Sequence, residues 1–194
     1  MESENTFFAM MARMKFINRW ALMRNSYEEN ISEHSMEVAM IAHALAIIGN
    51  ERLGRHYPAE KIAMIGLYHD CTEIITGDMP TPIKYKNDKI QEAYKEIEAG
   101  AARRLLQRLP EDLRESYEPY LLETEMNEEE RRLVKAADKL SALIKCIEEQ
   151  KAGNQEFLKA KETLQKAVGA LECQEADIFC REFLPHYYKT LDEL

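Results

Sequence analysis

Apolar residues recur along this chain at intervals of three and four, the spacing that gathers side chains onto one face of a helix. Residues 5–20 follow that rule, with Phe8, Met11, Ala12 and Phe16 on one side, and predict an amphipathic helix. A polar connector, Arg24 to Ile31, comes next. Ser32 is placed to cap a second helix, with Glu33 at its positive end and Val38, Ile41, Leu45 and Ile48 on its inner stripe until Gly49-Asn50. A third helix starts after Pro58, carries Ile62, Ile65, His69 and Glu73, and ends near Thr76-Gly77. The stretch Thr76–Tyr85 holds two Pro and a Gly and predicts a loop. Residues 88–108, 111–123, 128–151, 155–171 and 174–184 read as further helices. No segment alternates with period two, so the expected fold is all-α, one helical bundle domain over 1–194.

Composition sharpens this picture. The 194 residues suffice for one domain with a sizeable core, and with only 7 Gly and 6 Pro the chain has few helix breakers. A formal net charge of −9 repels polyanions on average, which speaks against nucleic acid as a partner, although a local positive site can still hold a small anion. The best apolar run, Ala39 to Ile48, is interrupted by His43. Crossing a bilayer takes roughly 20 residues, so no membrane partner is expected. The opening residues show no basic segment followed by an apolar one, and the four Cys (71, 146, 173 and 180) form no CxxC pair. Reduced thiols and a cytoplasmic location follow as expectations.

Candidate chemistry lies in three segments. His69 shares a helix face with Ile62, Ile65 and Gly66. Asp70 is turned about 100° from it, and Glu73 stands one turn on. Polar groups near one buried edge are costly unless paired, hydrogen-bonded or metal-bound. His34 falls on the stripe of Val38, Ile41 and Leu45. A lone histidine there is more often a core residue satisfied by a carbonyl. His43 points to the opposite face of the same helix and reads as structural, His56 and His186 as surface residues. Asp138 sits beside the small stripe Val134, Ala137 and Ser141, and periodicity alone leaves it a solvated acid near Lys135 and Lys145. Two His and two Asp suit one divalent transition metal such as Mn, Fe, Co, Ni or Zn, with positions left for water and substrate.

The order His34 … His69-Asp70 … Asp138 resembles the H…HD…D pattern of the HD superfamily of metal-dependent phosphohydrolases. More closely, the chain resembles the bacterial HD-domain 5'-deoxynucleotidase family, through Ile17–Asn25, Glu29–Leu45, Leu67–Tyr85, Val134–Cys146 and Ala152–Phe157. The resemblance implies an HD-type helical bundle, with His34, His69, Asp70 and Asp138 as ligands of one divalent cation such as cobalt or manganese. It implies Arg19 and Trp20 as a substrate-contacting pair and Asp78, Met79, Pro80 and Thr81 as a substrate loop, which commonly has Leu where Met79 stands. His34, Asp70 and Asp138 are expected to contact substrate as well. Glu73 matches an acid essential to the chemistry. A cytoplasmic homodimer that releases phosphate from deoxynucleoside 5'-monophosphates is the corresponding expectation.

In that reading Glu73 orients or deprotonates water, and Arg19 holds the phosphate with its planar fork of donors. Trp20 walls off a 2'-hydroxyl, Asp78 accepts from the 3'-hydroxyl, and base preference is loose. Lys84 is a second candidate for the phosphate, and otherwise solvated. For Arg19 alone a surface salt bridge is the commoner fate, for Trp20 core packing, for Asp78 a turn position beside Gly77. Two alternatives stay open: another HD chemistry, on cyclic nucleotides or nucleoside triphosphates, and a helical interaction module that binds no metal.

Overall fold

The computed structural model describes residues 5–84 and 86–194, with Thr81 and Pro82 described by their backbone alone. Its helices are α1 (Phe7–Met11), α2 (Ile31–Leu53), α3 (Ala59–Tyr68), α4 (Glu73–Thr76), α5 (Thr81–Lys84), α6 (Asp88–Leu106), α7 (Glu111–Leu121), α8 (Glu128–Lys151), α9 (Leu158–Gly169) and α10 (Gln174–Glu182). Among the described residues there is no strand, only an isolated antiparallel bridge between Asn18 and Asn30. The all-α expectation therefore stands.

Several boundaries differ from those the pattern predicts, each for a local reason. The first helix is short: after Met11 the chain tightens into a 3-10 turn to Phe16, and then runs on to the bridge at Asn18. Asn30, not Ser32, caps α2. Its side-chain oxygen accepts from the backbone N–H groups of Ser32 (3.0 Å) and Glu33 (3.1 Å). Glu33 reaches back to the Asn30 N–H at 3.2 Å, which completes a reciprocal cap. Gly49-Asn50 does not stop α2. Asn50 turns its side chain to the backbone of Tyr57 instead. The helix runs on to Leu53, before Gly54 at φ +66°, the left-handed position at which helices commonly end. With 23 residues α2 is long and apolar enough to cross a bilayer by length and composition, which the run Ala39–Ile48 does not suggest; half of that stretch is buried within the protein, as in a core helix. The predicted loop Thr76–Tyr85 contains the short helix α5, and Tyr85 itself lies outside the described residues.

The described chain gathers into two compact units, neither of them a continuous segment. The first takes residues up to Arg24, Glu28–Ser35 and Tyr68–Met126. Its core joins Phe7, Met14, Ile31, Cys71, Leu105, Leu109 and Leu121, with Tyr68, Ile74 and Tyr117 packed alongside. Phe7 meets the Tyr117 ring edge-on at 5.4 Å, a favoured aromatic geometry. Asn87 caps α6 by accepting from the Ile90 N–H.

The second unit takes Asn25–Tyr27, Met36–Leu67 and Asn127–Leu194, with α8 packed on α9 and α10. Within it α2 and α3 approach closely, since a Cβ on Gly66 would lie 3.2 Å from the Cα of Ala39. A capping box between Asn127 and Glu130 starts α8. Lys145 is buried (1% exposed). Its Nζ donates to Glu149 Oε1 at 2.5 Å and to the Tyr27 carbonyl at 2.7 Å. It also sits 3.4 Å from the centre of the Tyr27 ring, a cation–π contact. Glu149 accepts in addition from the Ser26 N–H and from Asn154, so the segment Ala152–Phe157 serves to complete this buried pair.

Burial alone would raise the carboxyl of Glu149, but hydrogen bonds from Lys145, Ser26 and Asn154 outweigh it and hold the value at about 2, against 4.5 ordinarily. A depressed carboxyl stabilises the fold above its unfolded value, and that contribution fades as pH falls toward its folded one. Glu149→Gln is expected to cost about 3–5 kcal/mol at pH 7, the usual penalty for leaving a buried ion unpartnered. Thermal melts should show the gap to wild type narrowing from about pH 4.5 down to about 2. A gap independent of pH would mean that the Glu149 charge carries no stability.

Candidate active site

The helix expected to run from Pro58 to Thr76 breaks after Tyr68, and that break shapes the site. From His69 to Thr72 the backbone makes tight turns, with Cys71 N–H donating to Tyr68 O and Glu73 N–H to Asp70 O, both at 3.0 Å. Such i→i+3 bonds close three residues per turn, so positions i and i+3 eclipse. Asp70 and Glu73 therefore sit over the same side, more nearly in register than on an unbroken α-helix. Gly77, at φ +72°, ends α4 and opens the loop that carries Asp78; glycine takes this backbone without steric cost.

His34, in the first turns of α2, is fully buried, and so differs from the solvent-facing His56 and His186. Its Nε2 lies 3.5 Å from Asp70 Oδ2, and His69 Nε2 lies 3.1 Å from the same oxygen. The ring centres are 5.2 Å apart, and one ligand atom from each of His34, His69 and Asp70 falls within 4.8 Å of the others. Two imidazole nitrogens and a carboxylate oxygen gathered at that spacing fit a divalent transition metal. Burial opposes ionisation of Asp70, yet the His69 charge and hydrogen bond, then His34 and Arg19, hold its carboxyl far below the ordinary range.

Glu73 is buried beside this cluster, with its Oε2 making no hydrogen bond. Burial first, then the charges of Asp70 and Asp78, push its carboxyl up to about 9 against the opposing pull of Arg19 and Lys84. Burial also raises Asp78; the Arg19 charge and a hydrogen bond from the backbone N–H of Trp20 oppose it. Two carboxyls on one turn, Asp70 and Glu73, thus have opposite tendencies, one held ionised and one inclined to carry a proton.

Arg19 and Trp20 lie at the end of the short bridge. The Arg19 N–H donates to the Glu29 carbonyl at 2.8 Å, and Ile31 N–H to the Ile17 carbonyl at 2.9 Å. Arg19 is not a surface salt bridge: its side chain is only 12% exposed, and Nη1 donates to Glu29 Oε2 at 2.8 Å. Trp20 is half-buried rather than packed in the core, and its indole N–H donates to the same Oε2 at 2.9 Å. At φ +58° Trp20 adopts a left-handed backbone, a conformation rare for a bulky residue and concentrated at ligand sites.

Met79 and Pro80 follow Asp78 as half-buried loop residues, and the side chain of Thr81 lies outside the described residues. Lys84 is not merely solvated: it pairs with Glu98 at 2.9 Å and lies 4.6 Å from the centre of the Tyr94 ring. Asp138 stands on α8, half-buried beside the buried Val134, Ala137 and Ser141, and belongs to the second unit. His43 is partly buried in mid-α2. Glu29 escaped sequence reasoning, since a glutamate in a polar connector carries no signal of burial.

Residues 6–187 match the family described as 5'-deoxynucleotidase YfbR-like. The chain belongs to the YfbR-like 5'-deoxynucleotidase family. It is 47% identical over 191 residues to a 5'-deoxynucleotidase of Vibrio vulnificus, covering 98% of each chain. It is 48% identical to 5'-deoxynucleotidase YfbR of Escherichia coli, covering 98% of this chain and 96% of that one. Among solved structures it resembles an HD-domain phosphohydrolase of Listeria innocua (TM-score 0.80, 22% identity, 94% and 88% covered). It also resembles an HD phosphohydrolase of cyanophage S-2L bound to dA and one catalytic Zn2+ ion (TM-score 0.68, 21% identity, 94% and 96% covered). These two likenesses carry the fold, the HD-type helical architecture. The YfbR-like family is one of hydrolases, and the chain is accordingly an enzyme.

Loss of a metal ligand should cost more than the roughly 10- to 100-fold in affinity that loss of an outer partner costs. His69→Ala and Asp70→Asn are each expected to weaken Mn2+ or Co2+ binding by at least that factor in calorimetric titration, with helix content by circular dichroism unchanged. Undiminished affinity in both would show that these donors do not act together on a cation.

Proposed function

We propose that this chain hydrolyses deoxynucleoside 5'-monophosphates to deoxynucleoside and phosphate, the activity after which its family is named. The observation that carries the reading is the meeting of His34, His69 and Asp70 within 4.8 Å of one another, beside a buried Glu73. Asp138 is proposed as the fourth ligand, from the H…HD…D order alone, and the metal as one divalent transition ion such as cobalt or manganese. When bound, the metal supplies a Lewis acid that polarises a phosphoryl oxygen and acidifies water.

The chain's own residues do the rest. Glu73, buried beside the donor cluster, orients or deprotonates the attacking water in its ionised form, a role that needs a carboxylate within hydrogen-bond reach. Arg19 presents its guanidinium to the phosphate and offsets charge that grows in the transition state. Trp20, its backbone turned left-handed, sets its ring against the sugar and excludes a 2'-hydroxyl. Asp78 accepts from the 3'-hydroxyl, which disfavours a 3'-phosphate because two anions would meet. Met79, Pro80 and Thr81 complete the wall. Few groups remain to read a base edge, so base selectivity is low.

Phosphate release from dAMP, AMP, dATP and a cyclic dinucleotide tests this directly. Purified protein with Co2+ or Mn2+ should turn over dAMP, prefer it to AMP by about 10-fold or more, as an unfavourable polar contact warrants, and lose activity to a chelator. Preferred turnover of the triphosphate or cyclic diester would move the chain to another HD chemistry. Inactivity on all four, with no metal bound, would favour a non-enzymatic module.

Two substitutions divide the roles. Glu73→Ala is expected to lower kcat by about 100-fold or more, the usual contribution of a positioned acid or base, with dAMP still binding. Residual turnover near wild type would remove Glu73 from the chemistry. Trp20→Ala should bring the dAMP-to-AMP ratio of kcat/KM toward unity; an unchanged ratio would reject the ring as the sugar wall.

A further inference from the structure

One buried carboxylate holds two of the residues proposed to meet the substrate. Glu29 is 7% exposed, and a single oxygen, Oε2, accepts from Arg19 Nη1 at 2.8 Å and from the Trp20 indole N–H at 2.9 Å. Its backbone joins in: the Glu29 carbonyl accepts from the Arg19 N–H at 2.8 Å, and the flanking Ile31–Ile17 bond fixes the register of the two segments. The carboxylate cannot slide past its partners, because the same residue is bonded to Arg19 through main chain and side chain.

Trp20 is held at a second point. Its backbone N–H donates to Asp78, so the residue is pinned by Glu29 at the indole and by Asp78 at the main chain. Between those anchors the backbone keeps φ at +58°, a conformation that relaxes unless its surroundings over-determine it. The Arg19 guanidinium lies 5.7 Å from the centre of the Trp20 ring. At that range cation and ring attract, so the two are fixed relative to each other as one piece.

We infer that Glu29 is a positioning residue that sets the Arg19–Trp20 pair in its substrate-binding geometry, and so governs phosphate affinity and sugar discrimination together. The inference rests on the reading of Arg19 and Trp20 as phosphate and sugar contacts. In this role Glu29 acts through Arg19 and Trp20 rather than on phosphate or sugar itself. Arginine loses much rotamer freedom when ordered, and a side chain ordered before substrate arrives does not incur that loss on binding.

Trp20 is the only tryptophan of the chain, so its fluorescence reports the indole without any need for turnover. In Glu29→Ala, acrylamide quenching of the free protein is expected to rise. KM for dAMP should rise by about 10- to 100-fold, the factor that a lost charge-assisted hydrogen bond carries, with kcat changed less. The dAMP-to-AMP ratio should fall toward unity. Glu29→Gln keeps an oxygen of similar reach but no charge; it is expected to restore the quenching and the sugar ratio better than it restores KM. Adding Glu29→Ala to a variant already lacking Arg19 and Trp20 should cost little more, because the three act as a unit.

A merely structural Glu29 predicts otherwise: lower thermal stability, but an unchanged sugar ratio and unchanged quenching in the folded fraction. Either unchanged quenching or an unchanged ratio would overturn the inference. If wild-type protein does not hydrolyse dAMP, the functional reading fails instead, and the quenching comparison still decides whether Glu29 holds the indole.

Discussion

Burial of ionisable groups is the constraint on which this structure turns. His34, Asp70 and Glu73 lie in or against the interior, where an isolated charge is expensive and a neutral polar group is tolerated only with partners. The arrangement resolves this by contrast. Asp70, between two imidazoles, is held ionised, whereas Glu73, three residues later, is pushed toward its neutral form. Carboxyls with opposed tendencies on one short turn provide a fixed negative charge beside a group able to exchange a proton, the division of labour that hydrolytic chemistry needs.

The same logic recurs away from the cluster. Arg19 and Trp20 are ordered by Glu29, a side chain that has no part in the donor set. Lys145 is met in the second unit by Glu149, the Tyr27 carbonyl and an aromatic ring. In both places a buried ion is satisfied by several directed contacts rather than one. Satisfied networks of this kind specify geometry more than they add stability, which suits a scaffold that must hold a small number of atoms in place.

Much of this was legible in the chain. The three- and four-residue spacing of apolar positions located nearly every helix, because burial of one face is what selects the helix period. The H…HD…D order marked His34, His69 and Asp70, which do converge. What escaped was decided by tertiary contacts. Asn30 rather than Ser32 caps α2 because the bridge to Asn18 delivers it there. The break after Tyr68 leaves no Gly or Pro signal. Glu29 and Lys145 look like surface charges until their partners, ten residues and more than a hundred away, are known. Asp138 shows the reverse case: spacing and burial say little about it, and only the motif order marks it.

The tight turn from His69 to Thr72 has an evolutionary corollary. Where residues three apart must eclipse, the count of residues between them is fixed. Inserting or deleting one position between Asp70 and Glu73 would swing Glu73 away from the side that Asp70 faces. This stretch is therefore constrained in length as well as in composition, since Cys71 also belongs to the buried core, unlike an ordinary surface loop.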